Sequence, residues 1–306
     1  RLLGSGPRAG LGELALPDEK KPPANSQKIA IIGAGPAGLT AAGDLADKGF
    51  AVTVYEASNT AGGMLVWGIP AYRLPKDILA YEVDLIRRKG VRIVLNCRVG
   101  KDKTIAALQK ENDCVFISAG AHVSRKLGVN GEDRQGVDYG VEFLKQAGDK
   151  DNQPRVGEHV VVIGGGNVAI DVARTALRLG AKQVEMVSLE KRDEMPAYQE
   201  EIAATLAEGI TINNGWGPNR IIGDGSVKGI ELKQCTRVFD ENGRFSPAYD
   251  QNNLKNINAD QIIVAIGQAI DGELLAHVCV DIERGCFKTD PVTLETSVNG
   301  IFAGGD

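Results

Sequence analysis

Two glycine clusters hold the chemistry available to this sequence. Gly33, Gly35 and Gly38 stand in the spacing G-x-G-x-x-G, with Pro36 and Ala37 between the last two. At that spacing the first glycine makes a tight turn and the second lets a pyrophosphate reach the backbone. The third lets a helix pack close against a strand. Glu56 follows at a distance of about 20 residues, where an acid takes a ribose hydroxyl. Further along, Gly164, Gly166 and Ala169 repeat the pattern as G-x-G-x-x-A, through Asn167 and Val168. The strand expected after it runs into Ser188, Leu189, Glu190, Lys191 and Arg192. A carboxylate at Glu190 would accept from both ribose hydroxyls and repel a 2′-phosphate, whereas Lys191 and Arg192 could hold a phosphate or face solvent. Both clusters point to dinucleotide binding, twice in one chain.

Other reaction chemistries have few candidates. Cys97, Cys114, Cys235, Cys279 and Cys286 are scattered, with no C-x-x-C pair and no zinc spacing. Their odd number argues against a disulfide framework, and they read as reduced, buried thiols of a cytoplasmic protein. No cysteine follows a glycine motif or heads an expected helix, so nucleophilic sulfur chemistry has no site. His122, His159 and His277 stand apart and read as structural. The net charge of −5 gives no reason to expect nucleic acid or an acidic membrane surface as partner. No apolar run is long enough to cross a bilayer. A chain of 306 residues can bury a sizeable core, and two domains are expected.

The elements that must position the two clusters follow from periodicity. Residues 29–32 and 51–55 are short apolar runs suited to buried parallel strands, and a helix between them aims its free N–H groups at the phosphates. The Gly62–Gly63 pair could bring the next loop close to a cofactor, or the loop could simply cover the sheet. A helix over 75–89, a strand over 91–95, a helix over 102–110 and a strand over 113–118 come next, the last ending in Ala119 and Gly120. After a short helix at 140–146, the order strand, glycine turn, helix, strand returns over 160–163, 167–179 and 183–189. The spacing then predicts a helix over 198–207, a strand over 211–213 and antiparallel hairpins over 217–249. An apolar strand at 261–266 closes on Gly267, and 280–288 forms a small hairpin. Ala119, Gly120, Ala265 and Gly267, at strand ends, are candidate cofactor contacts. Residues 1–27, rich in glycine and proline, read as a linker or surface wrap.

Two dinucleotide motifs in one chain, closed by TSVNGIFAGGD, resemble the two-domain flavin/pyridine-nucleotide oxidoreductases. More narrowly, GGMLVWGIPAYRLPK, GGGNVAIDVARTALRLGA and EMPAYQEE resemble the small subunit of glutamate synthase. They are similar also to its relatives: the flavin domain of dihydropyrimidine dehydrogenase, flavoprotein subunits of ferredoxin-linked transhydrogenases, and sulfide dehydrogenases. The resemblance covers residues 28–306. It implies FAD on the first motif, with Glu56 on the adenosine ribose, Gly63, Met64 and Leu65 against the flavin, and Gly305 and Asp306 at its ribityl chain. Trp67, Tyr72 and Arg73 are either near that site or in ordinary core and surface roles. A nicotinamide nucleotide is implied on the second motif. In NADPH-using relatives the positions of Leu189 and Glu190 are typically both arginine, so Glu190 favours NAD(H) over NADP(H). Relatives usually carry a cysteine-rich iron–sulfur domain before the first motif and a helix after the final Asp. On that comparison the chain reads as truncated at both ends, with iron–sulfur clusters only in missing or partner segments.

The expected fold class is therefore α/β, with two Rossmann-like FAD- and NAD(P)-binding domains in the glutathione-reductase-like arrangement. The FAD domain is expected to be discontinuous, over 28–134 and 261–306, with a nicotinamide domain at 135–260. The implied function is a flavoprotein oxidoreductase that passes a hydride from NAD(P)H to FAD, then electrons to an iron–sulfur domain or large subunit. No catalytic side chain is needed, because the cofactors carry the chemistry. A flavin-fold scaffold with degenerate cofactor sites is the alternative, and the intact glycines count against it.

Overall fold

The computed structural model describes residues 17–149, 151–272, 280–283 and 285–305. Asp306, His277, Cys279 and residues 1–16 lie outside them. In chain order the elements are β1 (Lys28–Ile32), α1 (Pro36–Asp47), β2 (Ala51–Tyr55), α2 (Met64–Trp67), α3 (Lys76–Arg88), β3 (Arg92–Val94), α4 (Ile105–Glu111), β4 (Cys114–Ile117), β5 (Ala121–Ser124), β6 (Val137–Tyr139), α5 (Gly140–Ala147) and β7 (His159–Ile163). There follow α6 (Asn167–Arg178), β8 (Gln183–Ser188), α7 (Gln199–Ala207), β9 (Thr211–Asn214), β10 (Trp216–Asp224), β11 (Ser226–Phe239), β12 (Phe245–Asn258), β13 (Gln261–Val264), β14 (Gln268–Ile270), β15 (Ile282–Glu283), β16 (Cys286–Phe287) and β17 (Ile301–Ala303).

These elements divide into two compact units. The first collects the described residues up to Val66, with Ala71–Ala121 and those from Ile270 onward. Its five-stranded sheet runs in the order β17-β4-β1-β2-β3, all pairs parallel. The period of two in β1 splits its side chains between layers. Ile29 and Ile31 pack with Leu39 and Ala42 of α1 and Leu79 and Val83 of α3. Ala30 and Ile32 face the opposite layer, with Leu108 of α4 and Ile301 of β17. Residues 17–27 form no helix or strand and run past the end of α3, where Lys20 N–H donates to Arg88 O at 2.7 Å.

The second unit contains Trp67–Pro70 and His122–Ala269. Its parallel sheet has the order β6-β13-β7-β8-β9. Val160 and Val162 of β7 face α5 and α6, against Phe143, Ile170 and Ala173. Val161 and Ile163 face the antiparallel sheet β10-β11-β12, against Ile221, Ile230 and Ile257. Antiparallel strands expected to end near residue 249 extend to Asn258.

The unit boundaries differ from those expected at 134/135 and 260/261. β13, expected with the FAD domain, pairs in register with β6 and β7: Ile262 lies opposite Val137 and Val161. An apolar run of four residues is a good buried strand, but it carries no label for its partner. Residues 122–134 likewise belong to the second unit. The chain passes from one unit to the other on either side of Trp67–Pro70, within β5 and within β14.

Candidate functional site

In the first sheet the strand order reverses at β1, with β2 and β3 on one side and β4 and β17 on the other. Open parallel sheets bind ligands at the carboxyl ends of the strands beside such a reversal. Gly33 leaves β1 there with φ of 100°. Its N–H donates to Tyr55 O at 2.8 Å, and a Cβ on it would lie 2.5 Å from Ser118 O. Gly35 caps α1, and Pro36 occupies the start of the helix, where its missing N–H costs nothing. A Cβ on Gly35 would meet nothing within 4 Å, so the loop is open where a phosphate would approach. At Gly38 the opposite holds: a Cβ would overlap Gly33 O and come 2.7 Å from Ser118 Oγ. The helix thus starts closer to the strand than any side chain permits.

Glu56 is held to this loop by both carboxylate oxygens. Oε2 accepts from Ala34 N–H at 2.8 Å; Oε1 accepts from Ser58 N–H at 2.8 Å and Ser58 Oγ–H at 2.7 Å. Gly63 closes on the same loop, since a Cβ there would lie 2.8 Å from Gly35 Cα. Met64 and Leu65 open α2, and Leu65 O accepts from Lys76 Nζ at 2.7 Å. Burial lowers the Lys76 pKa. Ala119 and Gly120 follow β4 beside Gly33, with Ala119 Cα 3.0 Å from the position of a Gly33 Cβ. From the other end of the chain, Gly304 N–H donates to Ile117 O at 3.0 Å. That brings Gly305 to α1, where a Cβ would lie 3.0 Å from Ala37 Cβ. Gly33, Gly35, Pro36, Ala37, Gly38, Glu56, Gly63, Ala119 and Gly305 therefore lie together at the carboxyl end of β1. Trp67 clusters with the second unit, under Lys145 Nζ at 5.0 Å from its ring centroid. Tyr72 is exposed.

The second sheet repeats the arrangement at β7, flanked by β13 and β8. Gly164 has φ of 148° and donates to Val187 O at 2.9 Å. A Cβ on it would overlap Ala265 O, so Ala265 stands here as Ser118 does in the first unit. Gly166 caps α6, and a Cβ on it would meet nothing within 4 Å. Asn167 Oδ1 accepts from Tyr198 N–H at 3.0 Å and Gly165 O accepts from Ala197 N–H at 3.2 Å, which fastens the 195–198 segment to the loop. Val168 continues the first turn of α6. Glu190 lies over the loop, its Oε2 2.5 Å from Ser188 Oγ. Lys191 is exposed and Arg192 half-buried, at the start of a 3₁₀ turn through Glu194. Gly267, with φ of 102°, has open space around it at the start of β14.

Sequence reasoning did not pick out Ser58, Ser118, Ser188 or the middle glycine Gly165. Ser58 and Ser188 each stand two residues from an acid, a spacing in which a hydroxyl can reach a neighbouring carboxylate. The two open-faced helix caps, each beside a glycine forced into an unusual φ, fit the pyrophosphate of a dinucleotide. Among the described residues no cluster of His, Cys, Asp and Glu could hold a metal ion, and no helix is long and apolar enough to cross a membrane.

Known proteins resemble this chain in sequence and in fold. Residues 27–306 match the pyridine nucleotide-disulphide oxidoreductase family. The beta subunit of NADP(+)-dependent formate dehydrogenase from Moorella thermoacetica is 45% identical over 290 residues, 92% of this chain and 40% of that subunit. The chain thus spans less than half the length of that relative. A putative NADPH glutamate synthase small chain from Cereibacter sphaeroides is 36% identical over 92% of this chain and 71% of its own length. In fold, the chain is similar to Mycobacterium tuberculosis FprA solved with NADPH, with a TM-score of 0.77 at 19% identity, over 92% of this chain and 78% of that one.

Proposed function

The chain belongs to the pyridine nucleotide-disulphide oxidoreductase family, and from that premise we propose that it is an electron-input flavoprotein. It takes a hydride from a nicotinamide nucleotide bound in the second unit and passes electrons, through FAD bound in the first, to iron–sulfur centres on a partner domain or subunit. The observation that carries this reading is the duplication itself: two glycine loops, each at a strand-order reversal, each with an open helix cap and an acid beside it.

When bound, the two cofactors supply hydride transfer and its division into single electrons. The chain's own residues bind and orient. N–H groups at the starts of α1 and α6 receive the pyrophosphates, Glu56 takes the adenosine ribose of FAD, and Gly63–Leu65 line the flavin side. Asp306, beyond the described residues, is assigned to the ribityl chain by its place in the motif. Neither unit needs a nucleophile, and the sequence has no close cysteine pair for disulfide exchange. Lys191 and Arg192 flank the nucleotide at the rim of the second loop.

NADH is the preferred donor in this reading. The two relatives described above carry NADP or NADPH in their names, and the proposal departs from them on Glu190, whose carboxylate repels a 2′-phosphate. Protein supplied with FAD should show visible flavin absorbance that bleaches under anaerobic NADH, and more slowly under NADPH. A protein that takes up no flavin overturns the oxidoreductase mechanism and favours the scaffold alternative. Faster bleaching by NADPH overturns the nucleotide preference alone.

A further inference from the structure

Gly165, the middle glycine of the second loop, has no conformational reason to be glycine. Its φ lies outside the left-handed region, unlike that of Gly164. Space is the reason: a Cβ there would lie 2.6 Å from Ser188 Oγ and 2.7 Å from Glu190 Oε2. Ser188 is the last residue of β8 and is 1% exposed. Its Oγ accepts from Glu190 N–H at 3.2 Å, which leaves the hydroxyl hydrogen to be donated to Glu190 Oε2 at 2.5 Å. The Glu190 backbone is fixed too, since its carbonyl oxygen accepts from Gly215 N–H at 3.1 Å and Asn214 Nδ2 at 3.2 Å.

From this geometry we infer that Ser188 and Gly165 are the positioning residues for nucleotide choice: the hydroxyl draws the Glu190 carboxylate over the glycine loop, and Gly165 leaves the space it occupies. This rests on the reading of the second loop as the nicotinamide-nucleotide site. A free glutamate on this rim would sample several rotamers, most of them extended into water. Held by one oxygen, it presents the other as a fixed acceptor for the paired ribose hydroxyls and a fixed charge against a 2′-phosphate. Discrimination then depends on the pose of Glu190 as well as its presence.

The test is calorimetric binding of ADP-ribose and of its 2′-phosphate to the flavin-loaded protein, with NADH and NADPH kinetics alongside. Ser188→Ala should cut the preference for ADP-ribose roughly tenfold, the scale of one hydrogen bond to a charged group. Its kcat with NADH should hold while KM rises. Ser188→Thr, which keeps the hydroxyl, should restore the preference. Gly165→Ala presses on the Ser188 hydroxyl and the Glu190 carboxylate rather than on backbone, so it should fold and reproduce the Ser188→Ala result. If Glu190→Gln shifts the preference but Ser188→Ala and Gly165→Ala leave it unchanged, the positioning role is overturned and the nucleotide reading stands. If Glu190→Gln leaves it unchanged, the nucleotide reading falls, and the positioning role with it.

Discussion

At Gly38 a methyl group would overlap the Gly33 carbonyl oxygen, whereas the matching place in the second loop carries the methyl of Ala169, fully buried. The acids differ in the same sense. Glu56 accepts two backbone N–H groups and a hydroxyl, drawn from Ala34 and Ser58. The Glu190 carboxylate is held by the hydroxyl of Ser188. The acid of the first loop is thus held mainly by backbone N–H groups, and the carboxylate of the second by a side-chain hydroxyl that a single substitution removes. A resident cofactor suits the first arrangement, and a donor that must come and go, chosen by its 2′ position, suits the second.

The largest effect expected from this difference is at the third motif position. Gly38→Ala forces α1 away from β1, because the obstructing atoms are backbone, and overpacking of this kind costs about 1–3 kcal/mol. The variant should melt several degrees lower and lose visible flavin absorbance after FAD is added. The reverse exchange, Ala169→Gly, removes a buried methyl from a helix and costs about 1 kcal/mol, with nucleotide binding retained. Equal losses of ligand binding in the two variants would erase the distinction between the loops.

Much of this arrangement is legible in the residues. The runs on either side of Gly33 and Gly164 declare strand and helix, because glycine spacing and apolar periodicity agree there. Both glycine loops and the helices they cap follow from those two signals. The three-residue strands β6, β14 and β17 are too short for a period of two to show. β13 is legible as a strand, but its sheet is decided by tertiary pairing with β6 and β7. The role of Gly165 is hidden for a similar reason: the atoms that exclude a side chain belong to Ser188 and Glu190, more than twenty residues away. Sequence spacing reports what a loop can do by itself, and not what folds down onto it.

A second contrast lies behind the loops, in what anchors each helix. Both helices have apolar partners, α1 in α3 and α6 in α5 and α7, but α6 also buries an arginine in an ion cluster with the α7 end. The Arg174 guanidinium donates to Glu201 Oε2 at 2.7 Å and to Glu208 Oε1 at 2.8 Å. Its side chain is 9% exposed, and Arg178 reaches the same Glu208 oxygen at 2.7 Å. Arg174→Ala leaves two carboxylates without their main partner and should cost about 2–3 kcal/mol, less than for a fully buried pair because both acids keep some water. Hydrogen exchange should quicken in α6 and α7 and stay unchanged in α1. Uniform loosening of both units would show that the ion cluster is not local support for the second loop.

The same cluster sets the smallest of these effects, a dependence on pH confined to the second unit. Burial pushes the Glu208 carboxyl up, but hydrogen bonds and charge from Arg174 and Arg178 outweigh it and hold the group below its ordinary 4.5. A carboxyl that titrates lower in the folded chain than in the unfolded one stabilises the fold above the unfolded value. That contribution is lost as pH falls through the folded value. Glu208 is partly exposed, so its share is small, below about 1 kcal/mol. Urea unfolding of the second unit should therefore show Glu208→Gln less stable than the parent at about pH 7, with the gap narrowing as pH falls below 4.5. A gap that widened on acidification would mean that Glu208 is held protonated in the fold, and that Arg174 takes its support from Glu201 alone.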